Sequence, residues 1–235
     1  MLESGYDEGV SRRTLSLLEA LNSMVHIEQN ALVLFQGDSI TDCGRNYEES
    51  DSLGHGYALM AAARLGMELP LKRLRFVNRG ISGNRVVDLR GRWEEDCIDL
   101  DPTWVSILVG INETGRRFNR GETTSVEAYY EGYRELLIQT RELTGASFIL
   151  MEPFLLPVTE AKKEWREDLD PKIQAVRELS REFETLYVPL DGIFAAASAK
   201  IEMSYWAPDG VHPSPAGHAL MADAWLATMQ GRSIL

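Results

Sequence analysis

Ala31-Leu32-Val33-Leu34-Phe35 runs directly into Gln36-Gly37-Asp38-Ser39-Ile40-Thr41. Five apolar residues without a polar interruption fit a strand buried on both faces, as in a parallel sheet covered by helices. Working outward, similar short runs follow at Leu74–Asn78, Trp104–Val109, Phe148–Met151 and Leu186–Leu190. Helical segments are predicted between them. Tyr57 to Leu65 reads as a helix ending near Gly66, and Val86 to Ile98 as mostly helical. Val126 to Leu143 is strongly amphipathic. Asp170-Pro171 opens another helix, with proline in its first turn, that runs to about Phe183. Asp191 caps a short alanine-rich helix, and Ser214-Pro215 opens the final one with Ser214 at the N-cap, ending before Gly231. Strand and helix alternate five times, which predicts an α/β fold with a five-stranded parallel sheet between helical layers. Ligands of such sheets bind beyond the carboxyl ends of the strands. The long segments Asp42 to Gly56 and Leu155 to Asp168 are therefore candidate pocket walls.

The 235 residues contain 44% hydrophobic and 26% charged residues, enough to bury one sizeable core. The domain is expected over residues 29–235. Residues 1–28 precede it as a helical extension, with Val10, Leu15, Leu17, Leu18, Leu21 and Val25 on one face. A net charge of −12 repels phosphate backbones and anionic lipid, so neither nucleic acid nor a membrane is the expected partner. Two cysteines, Cys43 and Cys97, read as free thiols in a reducing compartment. No CxxC spacing occurs, and no metal or other cofactor is expected. The acidic start Met1-Leu2-Glu3 lacks the pattern of a signal peptide, and no apolar run reaches the ~18 residues of a membrane span. The expected location is the cytoplasm.

Four short blocks carry the candidate chemistry. Ser39 sits where the first strand ends, either as a nucleophile or as a cap of the next helix. It is not in a GxSxG elbow, because Thr41 stands where the second glycine belongs. Asp209-Gly210-Val211-His212 places a carboxylate and an imidazole three residues apart. On a turn, Asp209 can hold Nδ1 of His212 and leave Nε2 free to take a serine proton; the alternative is a surface turn before a helix. Gly83, in Asn78-Arg79-Gly80-Ile81-Ser82-Gly83, offers an N–H that a ligand can approach closely. Asn112, in Gly110-Ile111-Asn112-Glu113, offers a side-chain N–H. Both are oxyanion donors or ordinary turn residues.

Taken together, in the order Ser, Gly, Asn and Asp-x-x-His, these blocks resemble the SGNH (GDSL) hydrolase superfamily over about Leu32 to Leu226. Four runs are similar to the intracellular acetyl-xylan esterases of that family. These are Gly37 to Arg45, Asn78 to Arg85, Arg92-Trp93-Glu94-Glu95-Asp96 and Val211 to His218. The resemblance implies a flavodoxin-like three-layer fold, removal of acetyl groups from short xylan-derived sugars, no metal, and self-association. It also implies Ser39, Asp209 and His212 as the catalytic residues. Gly83, Asn112 and the Ser39 N–H would form the oxyanion hole. One departure is Glu113, where the family usually has aspartate; its length is expected to alter how Asn112 is held.

Asp38, Arg85 and Trp206 are the candidate substrate-binding residues. Asp38 flanks the nucleophile, where its other role is to hydrogen-bond the loop. Arg85 orients a polar substrate or pairs with a carboxylate. Trp206 lies three residues before Asp209, so its ring stacks on a sugar or packs. Trp165 is a weaker candidate, reaching a neighbouring subunit's site. Two other functions compete with the acetylesterase. One is a short-chain lysophospholipase or acyl-CoA thioesterase on the same machinery. The other is a non-catalytic sugar-binding module.

Overall fold

The computed structural model describes residues 27–232. The helix expected over residues 10–25 lies outside the described residues. Five strands form one sheet: β1 (Leu32–Gly37), β2 (Arg75–Asn78), β3 (Trp104–Leu108), β4 (Ser147–Met151) and β5 (Leu186–Val188). They are all parallel, in the order β2-β1-β3-β4-β5. This is the flavodoxin-like order, whose switch point lies between β1 and β3 and opens a crevice at their carboxyl ends.

The helices are α1 (Ser39–Asp42), α2 (Tyr57–Glu68), α3 (Val86–Arg90), α4 (Trp93–Asp96), α5 (Ile111–Arg120) and α6 (Val126–Thr144). They continue with α7 (Glu160–Glu164), α8 (Arg166–Glu182), α9 (Leu190–Ser198), α10 (Met203–Trp206) and α11 (Pro215–Met229). Alternate strand residues face opposite layers. Val33, Phe35, Ile149 and Met151 pack with α2 and α11 through Tyr57, Leu65, Met221 and Trp225. Leu34, Val105, Ile107 and Leu150 pack with α3, α6 and α8 through Leu89, Tyr133, Leu137 and Val176. Each such side chain contributes roughly 1.5–3 kcal/mol of burial, which explains the apolar runs of the central strands. Two polar residues inside the central strands are fully buried and bonded: Ser106 accepts a 3.0 Å hydrogen bond from the Trp225 indole, and Gln36 donates to the Asp96 carbonyl at 2.8 Å.

Several boundaries differ from the sequence expectation. Helix α8 begins at Arg166, so Pro171 lies inside it rather than in its first turn. Proline there removes one i→i−4 hydrogen bond, and two i,i+4 ion pairs span the same turns, Arg166–Asp170 and Asp168–Lys172. Asp191 does not cap α9. Pro189 occupies the cap, and the Asp191 carboxylate is held by the Arg166 guanidinium at 2.6 and 2.8 Å. Val86 to Ile98 splits into α3 and α4, followed by a 3₁₀ turn over Ile98–Leu100.

The sequence reading missed α5 altogether. Ile-Asn-Glu-Thr-Gly-Arg-Arg-Phe-Asn-Arg carries only two apolar residues, Ile111 and Phe118, in an otherwise polar run. Tertiary contacts hold it instead: Thr114 donates to Asp168 at 2.7 Å, and Arg117 donates to the same carboxylate at 2.9 Å. Lys172, fully buried, completes the cluster at 2.6 Å. Burial acts to raise the Asp168 pKa, but the hydrogen bonds from Lys172, Thr114 and Arg117 outweigh it and hold the carboxyl below its usual range. Breaking this cluster from one side strands a buried ammonium. Asp168→Ala is expected to cost about 3–5 kcal/mol in urea unfolding. The double variant Asp168→Ala with Lys172→Met should recover most of that loss, and equal losses in the two variants would contradict this account.

Candidate active site

The site is built where β1, β2 and β3 end. At the end of β1, Gly37 has φ +154°, and a Cβ there would lie 2.3 Å from the Leu108 carbonyl of β3. Only glycine lets the chain turn so close to its neighbour. Asp38 then caps α1, its Oδ1 accepting from the Ile40 N–H at 3.0 Å. Ser39 is the first residue of that helix.

Its hydroxyl lies 3.0 Å from Nε2 of His212. Nδ1 of His212 lies 2.7 Å from Asp209 Oδ2. The other Asp209 oxygen accepts the backbone N–H of Val211 at 2.9 Å and of His212 at 2.7 Å. Burial acts to raise the Asp209 pKa, yet hydrogen bonds from the His212 ring and from these two N–H groups hold it below the usual carboxylate range. An ionised Asp209 places the imidazole proton on Nδ1 and leaves the Nε2 lone pair facing Ser39. Serine, imidazole and carboxylate thus form one hydrogen-bonded chain, an arrangement that can activate a hydroxyl as a nucleophile.

Gly83 and Asn112 line the same cleft of about 330 Å³ as Asp209 and His212. Gly83 has φ +82°, and nothing lies within 4 Å of a Cβ built on it. Its glycine therefore serves the left-handed backbone rather than a crowded contact. Asn112 donates one Nδ2 hydrogen to the Asn84 carbonyl at 3.0 Å, which leaves the second free to point elsewhere. The Gly83 segment is tied to α1 through Asp42, whose Oδ2 accepts from the Ser82 N–H at 3.1 Å and the Ser82 hydroxyl at 2.8 Å. Asn78 adds a 2.6 Å bond to the Thr41 carbonyl.

Glu113 does not compete with Asn112. Its side chain turns inward and accepts the Val86 N–H at the start of α3 at 2.7 Å. Its second oxygen has no partner among the described residues. Burial pushes the Glu113 carboxyl up to about 7, with the Asp38 carboxyl adding to the rise. Burial likewise pushes Asp38 up to about 7.

Of the candidate substrate-binding residues, none lines the cleft. Asp38 is fully buried beneath the turn, and Trp206 packs half-buried against the core with its ring edge-on to Tyr205. Arg85 is engaged with Asp88 at 3.0 Å. The loop Asp42 to Gly56 is likewise absent from the lining. The segment Leu155 to Asp168 does contribute, through Lys162 and Trp165. Trp165 thus stands in its own chain's cleft, stacked on Phe118 with Lys162 Nζ 3.2 Å from the centre of its ring. The sequence reading also missed Arg116, Asn119 and Arg120. Their signal was present: Asn112, Gly115, Arg116 and Asn119 follow i, i+3, i+4, i+7 spacing, which becomes visible only once α5 is known to be a helix.

His218 is buried. It accepts the Tyr57 N–H at 3.2 Å, and burial, assisted by His212, pushes its pKa down to about 4. It is a structural residue rather than a second base. Cys43 and Cys97 are both free thiols. Among the described residues, no group of three or more His, Cys, Asp or Glu is arranged to hold a metal ion, and no helix is long and apolar enough to cross a membrane.

The buried Glu113 gives a pH test. Its folded pKa of about 7 exceeds the ordinary 4.5, so between these values the native state keeps a proton that the unfolded state has released. That contribution is present below pH 4.5 and is lost as pH rises through 7. Glutamine does not titrate. Relative to wild type, Glu113→Gln should therefore gain on the order of 1–3 kcal/mol between pH 5 and pH 8. Urea unfolding at the two pH values measures this, and a constant difference would show that the carboxyl stays ionised.

Known proteins match over most of this architecture. An acetylxylan esterase of Geobacillus stearothermophilus is 37% identical over 202 residues, covering 83% of this chain and 91% of that protein. A solved structure of an acetylxylan esterase from the same organism superposes with a TM-score of 0.81 at 34% identity, covering 89% of this chain and 98% of that one. A protein described as a GDSL-like lipase, from Parabacteroides merdae, superposes with a TM-score of 0.84 at 37% identity, covering 87% and 98%. Variants of the Geobacillus esterase described as catalytic mutants carry alanine at a serine, at an aspartate and at a histidine three positions after that aspartate. The GDSL-like lipase/acylhydrolase family model matches residues 35–220, and the chain belongs to that family.

Proposed function

We propose that the protein is a serine acetylesterase acting on short acetylated sugars such as acetylated xylo-oligosaccharides. The observation that carries this reading is the continuous chain Ser39–His212–Asp209, whose His212 and Asp209 line a cleft together with Gly83 and Asn112. In this reading Ser39 Oγ attacks the acetyl carbonyl carbon while its proton passes to Nε2 of His212. The tetrahedral oxyanion takes hydrogen bonds from the N–H groups of Ser39 and Gly83 and from the Asn112 amide. Collapse expels the sugar oxygen, which receives the proton from His212, and leaves an acetyl-serine. Water then gives a proton to His212, attacks the acetyl carbon and releases acetate, and Ser39 recovers its proton.

The cleft wall favours a small, polar ester. Beyond the catalytic groups it consists of Gly115, Arg116, Asn119, Arg120 and Lys162, with Ile111, Trp165 and Val211 as the apolar part. The acetylxylan esterase relatives supply the sugar. The reading also includes a reducing cytoplasmic setting, supported by the two free thiols. Self-association belongs to it as well, supported by the exposed Met67 and Leu71.

Hydrolysis of p-nitrophenyl acetate, butyrate and octanoate by wild type and Ser39→Ala tests the proposal. Turnover should fall from acetate to octanoate, and the variant should lose at least about 10⁴-fold in kcat. Octanoate preference would discard the sugar, and full activity of Ser39→Ala would discard the mechanism.

A further inference from the structure

The cleft reverses the charge of the protein around it. The chain holds 24 Lys and Arg against 36 Asp and Glu. Yet three cations line this cleft, Arg116, Arg120 and Lys162, against one carboxylate, Asp209, which is committed to His212. Arg116 has a partner, Glu122, at 3.2 Å. Arg120 and Lys162 make no ion pair among the described residues. Lys162 is held in place, its ammonium over the Trp165 ring, so part of its water shell is already gone.

A neutral acetylated sugar uses this arrangement only in part, its oxygens accepting from the cations without matching their charge. Its hydroxyls need acceptors as well as donors, whereas a guanidinium and an ammonium only donate. Unpaired cations beside His212 also oppose the imidazolium that forms as Ser39 loses its proton. An anion on the substrate would remove both defects.

Building on the acetylesterase reading, we infer that Arg120 and Lys162, with Arg116 beside them, form a subsite for a carboxylate on the substrate. The preferred ester is then an acetylated oligosaccharide that carries a uronic acid. The cleft lies at the small end of ligand sites, roughly 300–1,000 Å³. That size suits one acidic sugar unit better than the nucleotide diphosphate of a coenzyme thioester.

The test compares kcat/KM for acetylated neutral xylo-oligosaccharides, acetylated oligosaccharides of equal length bearing a uronic acid, and acetyl-coenzyme A. Measurements at low and high salt use wild type, Arg120→Gln, Lys162→Gln and the surface control Lys200→Gln. The acidic sugar should be preferred in wild type. Each cleft variant should lower the acidic-to-neutral ratio by about threefold to tenfold, mainly through KM, the weight of one charge-assisted contact from an exposed arginine or a half-buried lysine. Lys200→Gln changes the net charge equally and should leave the ratio alone, and high salt should lower it. A ratio near one in wild type, or one that cleft and control variants change alike, overturns the subsite. Preference for acetyl-coenzyme A over both sugars overturns it too, because phosphate is then the anion. Turnover of p-nitrophenyl acetate separates the two readings: if it is normal while the acidic preference is absent, only the subsite fails, and if it is absent, the esterase reading fails as well.

Discussion

The 3.0 Å contact between Ser39 Oγ and His212 Nε2 joins residues 173 positions apart, and much of the fold serves to hold those two atoms in register. Ser39 hangs on the end of β1, which is buried along its whole length and flanked by β2 and β3. His212 sits on a turn fixed at both sides. Asp209 takes the N–H groups of Val211 and His212, and the Ser214 N–H bonds the Trp206 carbonyl at 2.8 Å. A sheet of order β2-β1-β3-β4-β5 brings these pieces to one rim because its connections diverge between β1 and β3. The rigidity belongs to the sheet, and the chemistry belongs to the loops that leave it.

Around this contact, polar groups are buried at a cost that position offsets. Asp38, Glu113 and Lys172 are almost wholly removed from water. Asp38 organises the nucleophile turn, and Glu113 ties α5 to α3. Lys172 and Asp168 clamp α5 against α8. Helix α5 carries Asn112 in its first turn and the cationic cleft wall along one face. An error in its placement would move the amide and the wall together. That gives a physical reason for a buried ion pair where an apolar pair would pack more cheaply.

The strands, the long helix α6 and the final helix were legible because local signals agreed there. Short apolar runs marked β1, β3 and β4, that of β3 broken only by Ser106. The amphipathic pattern over Val126 to Leu143 marked α6, which the structure caps with Ser125 and ends at Gly145, and Ser214 with Pro215 opened α11. Glu113 stands out in the sequence as a departure, but where its carboxylate goes is set by the fold: it accepts the Val86 N–H, and Asn112 is anchored on the Asn84 carbonyl. Helix α5 was hard to see because only Ile111 and Phe118 mark its apolar face, and much of its anchoring comes from a carboxylate more than fifty positions away. Trp206 and Arg85 looked like ligand contacts because their types suit sugars. Whether such a side chain meets a cleft or its own neighbours depends on packing that no local pattern encodes.

Local chemistry, written within a few residues of chain, thus determined the parallel α/β architecture and the blocks around Ser39, Gly83, Asn112 and Asp209-x-x-His212. Continuous apolar runs, caps and the reach of a carboxylate across one turn all act at short range, so a linear pattern can state them. Only the tertiary structure decided that Arg116, Arg120, Lys162 and Trp165 share a cleft with His212, and that Asp38 and Glu113 lie buried. Those facts depend on where separate elements meet, and on the field that each charge feels once water has been excluded from between them.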